Sequence, residues 1–353
     1  MTPFQPRINA IGTAVPGHDI HQAFIDWAGA QLPDPRERAL FARMAARSGI
    51  AHRWSVLPPT PEGGSPVAPN GFYAGTALPS TAERMALYAV HAPELALEAI
   101  ATLEPEAVRG VTHLVVASCT GFVAPGIDQI IARRLGLAGS VERLLIGFMG
   151  CYAAVTALRT ARHIVRSDPT ARVLVVTVEL STLHLQMGKA IEPLLAMLHF
   201  GDGAAAALVS GEGKGLALGE GVTATLPDSA DLIRWDIGDT GFAMHLSGAV
   251  PGRIEAALRD PAMRSALMGD QAIEAWAIHA GGRTILDAVE TGLALPATAL
   301  EASRDTLRDN GNMSSSTLMF TLGALLAERP KSGVALAFGP GLAAEGFSFG
   351  WTG

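Results

Sequence analysis

The chain is poor in cysteine and in positive charge, and it lacks long uninterrupted apolar runs; each shortage closes off a class of protein. Two cysteines in 353 residues cannot build a disulfide framework, which fits a reducing, cytoplasmic setting. Lys and Arg number 26 against 33 Asp and Glu, a net charge of −7. No broad basic face is therefore expected for nucleic acid, and an anionic ligand needs a local basic patch. No run of about eighteen apolar residues stands without polar interruption, so no membrane span is expected. Residues 1–7 lack the basic-then-apolar pattern of a secretory leader. Cys119, Cys151 and scattered histidines offer no metal-ligand spacing, and no metal is expected.

Apolar residues, by contrast, make up 49% of the chain, and 39 residues are glycine. That length and apolar content fill more than one ordinary core. Two units are expected, residues 1–210 and 211–353, resembling each other in the order of their elements rather than in sequence. Strands alternate with helices, which reads as an α/β protein with a largely parallel sheet covered on both faces. Residues 18–49 read as helical and the Pro-, Gly- and Ser-rich residues 57–79 as a surface loop. Residues 211–221, with five glycines, read as a connector. Residues 317–328 read as a helix capped by the serines before it.

Three residues sit where elements begin or end beside glycine or serine, the place where α/β folds collect their sites. Cys151 follows a strand and opens a helix, where free amide N–H groups and the helix dipole favour a nucleophilic thiolate. A lone cysteine is also commonly an inert buried residue. His279 ends the apolar strand that contains Trp276 and Ile278, and Asn312 precedes a serine run. A strand-end histidine is often structural, and an asparagine there often a turn or cap residue. Cysteine with histidine and asparagine elsewhere in a chain is a recognised but unspecific pattern.

The wording around these residues is far more specific. Gly147-Phe-Met-Gly-Cys-Tyr-Ala153, Phe200-Gly-Asp-Gly-Ala-Ala205, Trp276-Ala-Ile-His-Ala-Gly-Gly282, Gly311-Asn-Met-Ser-Ser315 and Phe338-Gly-Pro-Gly-Leu342 occur together and in order. The chain in this respect resembles the chalcone synthase-like type III polyketide synthases, from about Arg43 to its C-terminus. The resemblance implies the thiolase fold, five αβαβα layers from two similar halves, and a homodimer. It implies an acyltransferase that takes a starter acyl group from coenzyme A onto Cys151 and extends it with malonyl-CoA by decarboxylative condensation. A cyclised aromatic polyketide or pyrone would be released, with no bound cofactor. His279 and Asn312 match the pair that polarises thioester oxygens, and His279 as imidazolium would hold Cys151 as thiolate.

The same resemblance places Phe200 and Met244 at a gate between the coenzyme A tunnel and the cavity, with methionine where plant chalcone synthases carry Phe. Cys119, Thr120, Ser181, His184, Trp235 and Ser314 fall on cavity positions; Trp235 stands where the plant enzymes have glycine. Arg43, Arg47 and Gly281 fall on coenzyme A contacts, while a third basic position is occupied by Leu40. Cys119 is reminiscent of bacterial enzymes that start from malonyl-CoA, and equally reads as a small buried hydrophobe. Two other readings are a ketoacyl-carrier-protein synthase making a single condensation, and a catalytically silent paralogue acting as a binding subunit.

Overall fold

A computed structural model of the chain describes residues 4–60, 65–75, 77–269 and 272–353. In chain order the strands are β1 (Arg7–Ala14), β2 (His18–Asp19), β3 (Trp54–Ser55), β4 (His113–Ser118), β5 (Glu142–Gly147), β6 (Arg172–Leu180), β7 (Asp202–Ser210), β8 (Gly215–Thr225), β9 (Ile233–Gly238), β10 (Gly241–Leu246), β11 (Ala275–Ile278), β12 (Gly333–Gly339) and β13 (Ala343–Thr352). The α-helices are α1 (His21–Gln31), α2 (Pro35–Ala46), α3 (Thr81–Ala101), α4 (Pro105–Val108), α5 (Ile127–Arg134), α6 (Ala153–Ser167), α7 (Ile191–Met197), α8 (Val250–Arg259), α9 (Pro261–Met268), α10 (Arg283–Leu293), α11 (Glu301–Asn310) and α12 (Ser315–Glu328).

Nine strands hydrogen-bond in the order β11-β12-β13-β8-β1-β7-β6-β4-β5. The contact between β1 and β8 is brief, Arg7 opposite Ala217 and Ile8 opposite Leu216, so the sheet is two sheets meeting at a narrow seam. α6 and α12 lie between them: Ala154, Leu158 and Ala161 of α6 and Leu318 and Leu322 of α12 share one buried cluster with Val175, Ala207, Ala335 and Phe347 from both sheets. A second cluster joins α1, α2, α3 and α5 to the outer face of the first sheet, and a third joins α8, α10 and α11 to the outer face of the second. The result is five layers, the thiolase fold.

Four sequence expectations need correction. The sheet is mixed rather than largely parallel: β4 runs parallel to β5 and β6, and β11 to β12, while the remaining pairs are antiparallel. The bend between β12 and β13, Pro340–Leu342, is too short for anything but an antiparallel return. Residues 18–49 are not one helix but α1 and α2, broken where Asp34 caps α2 through the Arg36 amide and Pro35 takes the first helical position. Residues 211–221 are mostly strand: a Cβ at Gly215 would lie 2.1 Å from the Ile8 carbonyl oxygen and one at Gly219 2.2 Å from Ser348 Oγ. Those glycines allow close strand approach rather than mobility. The serine caps expected before residue 317 are not formed: α12 already begins at Ser315, and Ser314 at its N-terminus makes no side-chain cap; the hydroxyls are committed elsewhere, as described below. Within 57–79, residues 61–64 and 76 lie outside the described residues, and the rest forms turns without helix or strand.

Among the described residues no helix is long and apolar enough to cross a membrane. The fold brings the C-terminal ends of β5 and β11 and the N-termini of α6 and α12 to one place. The turn that ends β5 is tight. Phe148 and Gly150 take φ of 57° and 77°, and a Cβ on Gly150 would lie 2.4 Å from Pro340 Cδ. Gly150→Ala therefore adds left-handed strain and a clash with a rigid ring. We expect a loss of at least about 2 kcal/mol, read from the denaturant midpoint, together with loss of activity.

Candidate active site

Cys151 lies in the single 3₁₀ turn Gly150–Tyr152 that leads into α6, buried at 8% exposure. His279 follows β11, and its backbone N–H donates to the Leu336 carbonyl at 2.8 Å. Both of its ring nitrogens are buried and find no hydrogen-bond partner among the described residues. Asn312 sits in an isolated parallel bridge with Phe200: its N–H donates to the His199 carbonyl at 2.7 Å, and its carbonyl accepts from Gly201 N–H at 3.0 Å. The Asn312 side chain is fixed as well. Its Oδ1 accepts the Ser314 amide at 2.8 Å, and one N–H of Nδ2 donates to the Gly281 carbonyl at 3.2 Å. The other N–H of Nδ2 is turned toward the Cys151 thiol.

Cys151, His279 and Asn312 face one cavity of about 40 Å³, together with Gly281, Phe200 and Met244 and an apolar wall of Ile254, Ile285 and Phe338. A second, larger cavity of about 280 Å³ is lined by Ser181, His184, Met197 and Trp235 and again by Phe200 and Met244. Phe200 and Met244 thus line both spaces. The Trp235 indole donates to the Cys119 carbonyl at 2.9 Å and meets His184 edge-on at 5.6 Å, which fixes its ring at the edge of the larger cavity. His184 is a structural residue here: Nδ1 accepts the Phe242 amide at 3.1 Å and Nε2 donates to the Thr120 carbonyl at 2.7 Å. Burial pulls its imidazole down to about 3, so the ring is neutral.

Cys119, Thr120 and Ser314 are turned into a buried polar network centred on Glu179. That carboxylate accepts the Cys119 amide at 3.0 Å, the Thr120 hydroxyl at 2.9 Å, the Cys119 thiol at 3.3 Å and the Ser315 hydroxyl. Ser314 Oγ bridges the two thiols, 3.0 Å from Cys119 Sγ and donating to Cys151 Sγ at 3.7 Å. The next serine, Ser316, donates to the Gly203 carbonyl at 3.0 Å. Ser314 is held at φ 48°, ψ −127°, a conformation costing about 1–3 kcal/mol in a non-glycine residue. Asn312 and the two thiols maintain it.

Glu179 escaped the sequence reading. The signal was there: one acid at the end of the otherwise apolar run Arg172–Leu180, where a buried carboxylate needs partners.

Burial pushes Glu179 up to about 7 against its several donors. It pushes the Cys119 thiol well above its ordinary value, helped by the neighbouring Glu179 charge, so Cys119 is a neutral thiol rather than a second nucleophile. Burial also pushes Cys151 up to about 12, opposed by the Ser314 and Asn312 hydrogen bonds, and pulls His279 down to about 4. Each is disfavoured as a lone charge in this dry pocket. Proton transfer from thiol to imidazole creates both charges together, and the α6 N-terminus, Ser314 and Asn312 all favour the thiolate side of that exchange.

Arg43 and Arg47 lie exposed at the C-terminal end of α2, outside both cavities. The Arg47 carbonyl accepts from Arg283 Nε at 2.6 Å, which ties this end of α2 to the start of α10, two residues beyond Gly281.

A thiolase-type condensing enzyme is the class that this fold and this cavity define. Residues 5–213 match the chalcone and stilbene synthases, N-terminal domain, and residues 217–350 match their C-terminal domain. The alpha-pyrone synthesis polyketide synthase-like Pks18 of Mycobacterium tuberculosis is 32% identical over 365 residues, 97% of this chain and 90% of that one. Type III polyketide synthase C of Arabidopsis thaliana is 34% identical over 260 residues, 68% of each chain. The crystal structure of 1,3,6,8-tetrahydroxynaphthalene synthase from Streptomyces coelicolor superposes with a TM-score of 0.87 at 25% identity, covering 98% of this chain and 99% of that one. The type III domain of Steely1 from Dictyostelium shares the fold, at a TM-score of 0.87 and 24% identity over 98% and 99% of the two chains. The chain belongs to the chalcone and stilbene synthase family, the type III polyketide synthases. These are acyl-transferring condensing enzymes that use malonyl-CoA and acyl-CoA thioesters and need no additional cofactor.

The Ser314 contact carries a test. The hydroxyl donates to Cys151 Sγ and so lowers its pKa; removing it must raise that pKa. In Ser314→Ala the pH midpoint of Cys151 alkylation by iodoacetamide should move up by about one unit, since a hydrogen bond to a charged group contributes about 1.5–3 kcal/mol and this one is long. Below the midpoint, alkylation should slow about tenfold.

Proposed function

We propose that Cys151 is the acyl-accepting nucleophile and that His279 and Asn312 are the two donors that stabilise the enolate of malonyl-CoA. The observation that carries this reading is the pair of side chains that face the cavity beside the thiol. Among the described residues His279 has two buried ring nitrogens without a partner, and Asn312, its orientation locked by the Ser314 amide, turns an amide N–H toward Cys151. Buried polar groups are normally paired, and a negative oxygen arriving in this cavity would pair both.

The Cys151 proton passes to the His279 imidazole, and the thiolate attacks the thioester carbonyl of an acyl-CoA. The coenzyme A sulfur leaves and takes the proton back. Malonyl-CoA then enters with its thioester oxygen against His279 and Asn312. The carbon–carbon bond to the carboxylate breaks, carbon dioxide departs, and the electron pair becomes an enolate held by the two donors. The enolate carbon attacks the acyl-Cys151 carbonyl and expels the thiolate, leaving the chain longer by two carbons on coenzyme A. A donor of this kind contributes about 2.7–4 kcal/mol in other enzymes.

A space of about 40 Å³ at Cys151 holds about three or four waters, at about 10–15 Å³ of comparable volume each, too little for a growing chain. Growth therefore requires the chain to pass Phe200 and Met244 into the cavity of about 280 Å³. Trp235 limits that space, and we propose a short chain released as a small cyclised aromatic or pyrone, the product class that the names of the Pks18 and tetrahydroxynaphthalene synthase relatives also suggest. Arg43 and Arg47 are proposed to meet the coenzyme A phosphates, with Gly281 beside the pantetheine arm. The proposed division at residues 210–211 is supported by the two family domains, which match on either side of residues 213–217. A cytoplasmic location is supported by two free, buried cysteines.

We also propose a homodimer through β5. This strand ends the sheet with only β4 beside it, and it exposes Leu144 and Leu145 at 44% and 42%. An unpaired apolar edge invites a second strand. Leu145→Asp should shift the protein to monomer in sedimentation equilibrium.

The proposed reaction is tested with purified protein, isotopically labelled malonyl-CoA and a panel of acyl-CoA starters. A cyclised product is expected, its mass counting the extensions, and the absence of any multi-ketide product would contradict the reading. Trp235→Gly enlarges the cavity and should give a product longer by at least one two-carbon unit; an unchanged product mass would remove Trp235 from control of chain length.

A further inference from the structure

Arg53 is a fully buried cation, 0% exposed, outside the chemistry described so far. Asp19 accepts its backbone N–H at 3.1 Å, but among the described residues no carboxylate hydrogen-bonds or ion-pairs with its guanidinium. Asp19 and, more weakly, Asp202 act on the guanidinium only through space: the Asp19 oxygens are occupied by the His21 amide, the Arg53 amide and the His52 ring, and the Asp202 oxygens by the Thr182 amide, the Thr182 hydroxyl and the Val56 amide. Burial pulls Arg53 down to about 9, which leaves it charged at neutral pH. A buried guanidinium without an ionic partner is costly, and here it binds neutral acceptors. It donates to the Phe200 carbonyl at 2.8 Å, to the Met197 carbonyl at 3.0 Å and to His21 Nδ1 at 3.0 Å, and it stacks 4.4 Å above the Phe24 ring.

Those carbonyls belong to the segment that carries Asn312. Phe200 bridges Asn312, and the peptides on either side of Phe200 supply both backbone hydrogen bonds of Asn312, His199 O at 2.7 Å and Gly201 N at 3.0 Å. The Arg53 stem also fills the space beside the preceding residue, where a Cβ on Gly311 would lie 2.8 Å from Arg53 Cγ. One side chain therefore holds the segment 197–201 and abuts the turn that presents Asn312.

We propose that Arg53 is a positioning residue for enolate formation: by clamping the Met197 and Phe200 carbonyls it sets the place of the Asn312 amide donor. The proposal rests on the reading of Asn312 as an enolate donor. A displacement of about 1 Å at a reacting group can cost about 100-fold in rate, so loss of the clamp should be felt in decarboxylation and spared in the loading of Cys151, which does not need Asn312 as an enolate donor.

The experiment compares the full-length wild type, Arg53→Met and Arg53→Lys. Carbon dioxide release from malonyl-CoA gives kcat and KM; intact-mass measurement gives the rate of Cys151 acylation by an acyl-CoA; a melting curve reports the fold. Removing the Arg53 guanidinium strands no ion-pair partner, the case in which loss of a buried charge is strongly destabilising, so Arg53→Met is expected to fold, and Arg53→Lys carries the comparison if it does not. For Arg53→Met the kcat of decarboxylation should fall by at least about 10-fold with KM and acylation within about threefold of wild type. Arg53→Lys, able to reach one carbonyl, should recover part of the loss. In an Asn312→Ala background Arg53→Met should add no further loss.

Equal losses in acylation and decarboxylation would mean a general structural role and would overturn the proposal, as would undiminished decarboxylation in Arg53→Met. Wild-type protein that releases no carbon dioxide from malonyl-CoA would overturn the reading of Asn312 itself, and the positioning role with it.

Discussion

The packing of α6 against α12 between the two sheets is the constraint on which the site depends. Ala153, Ala154, Ala157 and Ala161 give α6 a smooth buried face, so α12 can pack closely with Leu318, Met319 and Leu322. The two helices begin side by side as a result. Cys151 lies in the turn two residues before one and Ser314 immediately precedes the other, and their side chains meet at 3.7 Å. The sequence positions differ by 163, yet no loop flexibility intervenes, because each residue sits within one turn of a helix locked between two sheets. Active sites built on rigid elements hold geometry better than sites on loops.

Burial sets the electrostatics of that meeting point. The cavity around Cys151 is lined mainly by apolar side chains, which disfavours any isolated charge and strengthens any hydrogen bond that forms. The protein answers with fixed donors rather than with counter-charges: the Ser314 hydroxyl toward the thiol, the Asn312 amide and the His279 ring toward the cavity. The acid Glu179 is not part of this donor set. It is saturated by Cys119, Thr120 and Ser315 and acts as an anchor that keeps the start of α12 and the end of β4 in register. Electrostatic preorganisation of this kind needs no reorganisation when charge develops on a substrate oxygen.

Much of this was legible in the sequence, and the reasons are physical. Cys151, His279 and Asn312 sit at element ends flanked by glycine, so their local pattern announces a turn that presents a side chain. Helices α3, α5 and α10 and the buried strands β4 and β6 follow apolar periodicity directly. The structural roles of Glu179 and Arg53 were not legible because their partners lie far along the chain, Ser315 at a separation of 136 and Phe200 at 147, and no local spacing encodes such pairings. The glycines of β8 misled for a related cause: a glycine used for close strand approach looks, in sequence alone, like a glycine used for a bend. The expected serine caps failed because Ser315 and Ser316 lie inside α12 and Ser314, at φ 48° and ψ −127°, is outside the extended conformation of a capping residue; the three hydroxyls donate instead to Cys151, Glu179 and Gly203.

The central claim is that enolate stabilisation and nucleophilic capture reside in separate residues sharing one cavity. The most direct test is carbon dioxide release from malonyl-CoA by Cys151→Ala and, separately, by Asn312→Ala, alongside product formation by each. The account predicts that Cys151→Ala makes no product yet still releases carbon dioxide, whereas Asn312→Ala loses decarboxylation by about 100-fold, the cost of one oxyanion donor. Product formation by Cys151→Ala, or a normal decarboxylation rate in Asn312→Ala, would contradict it.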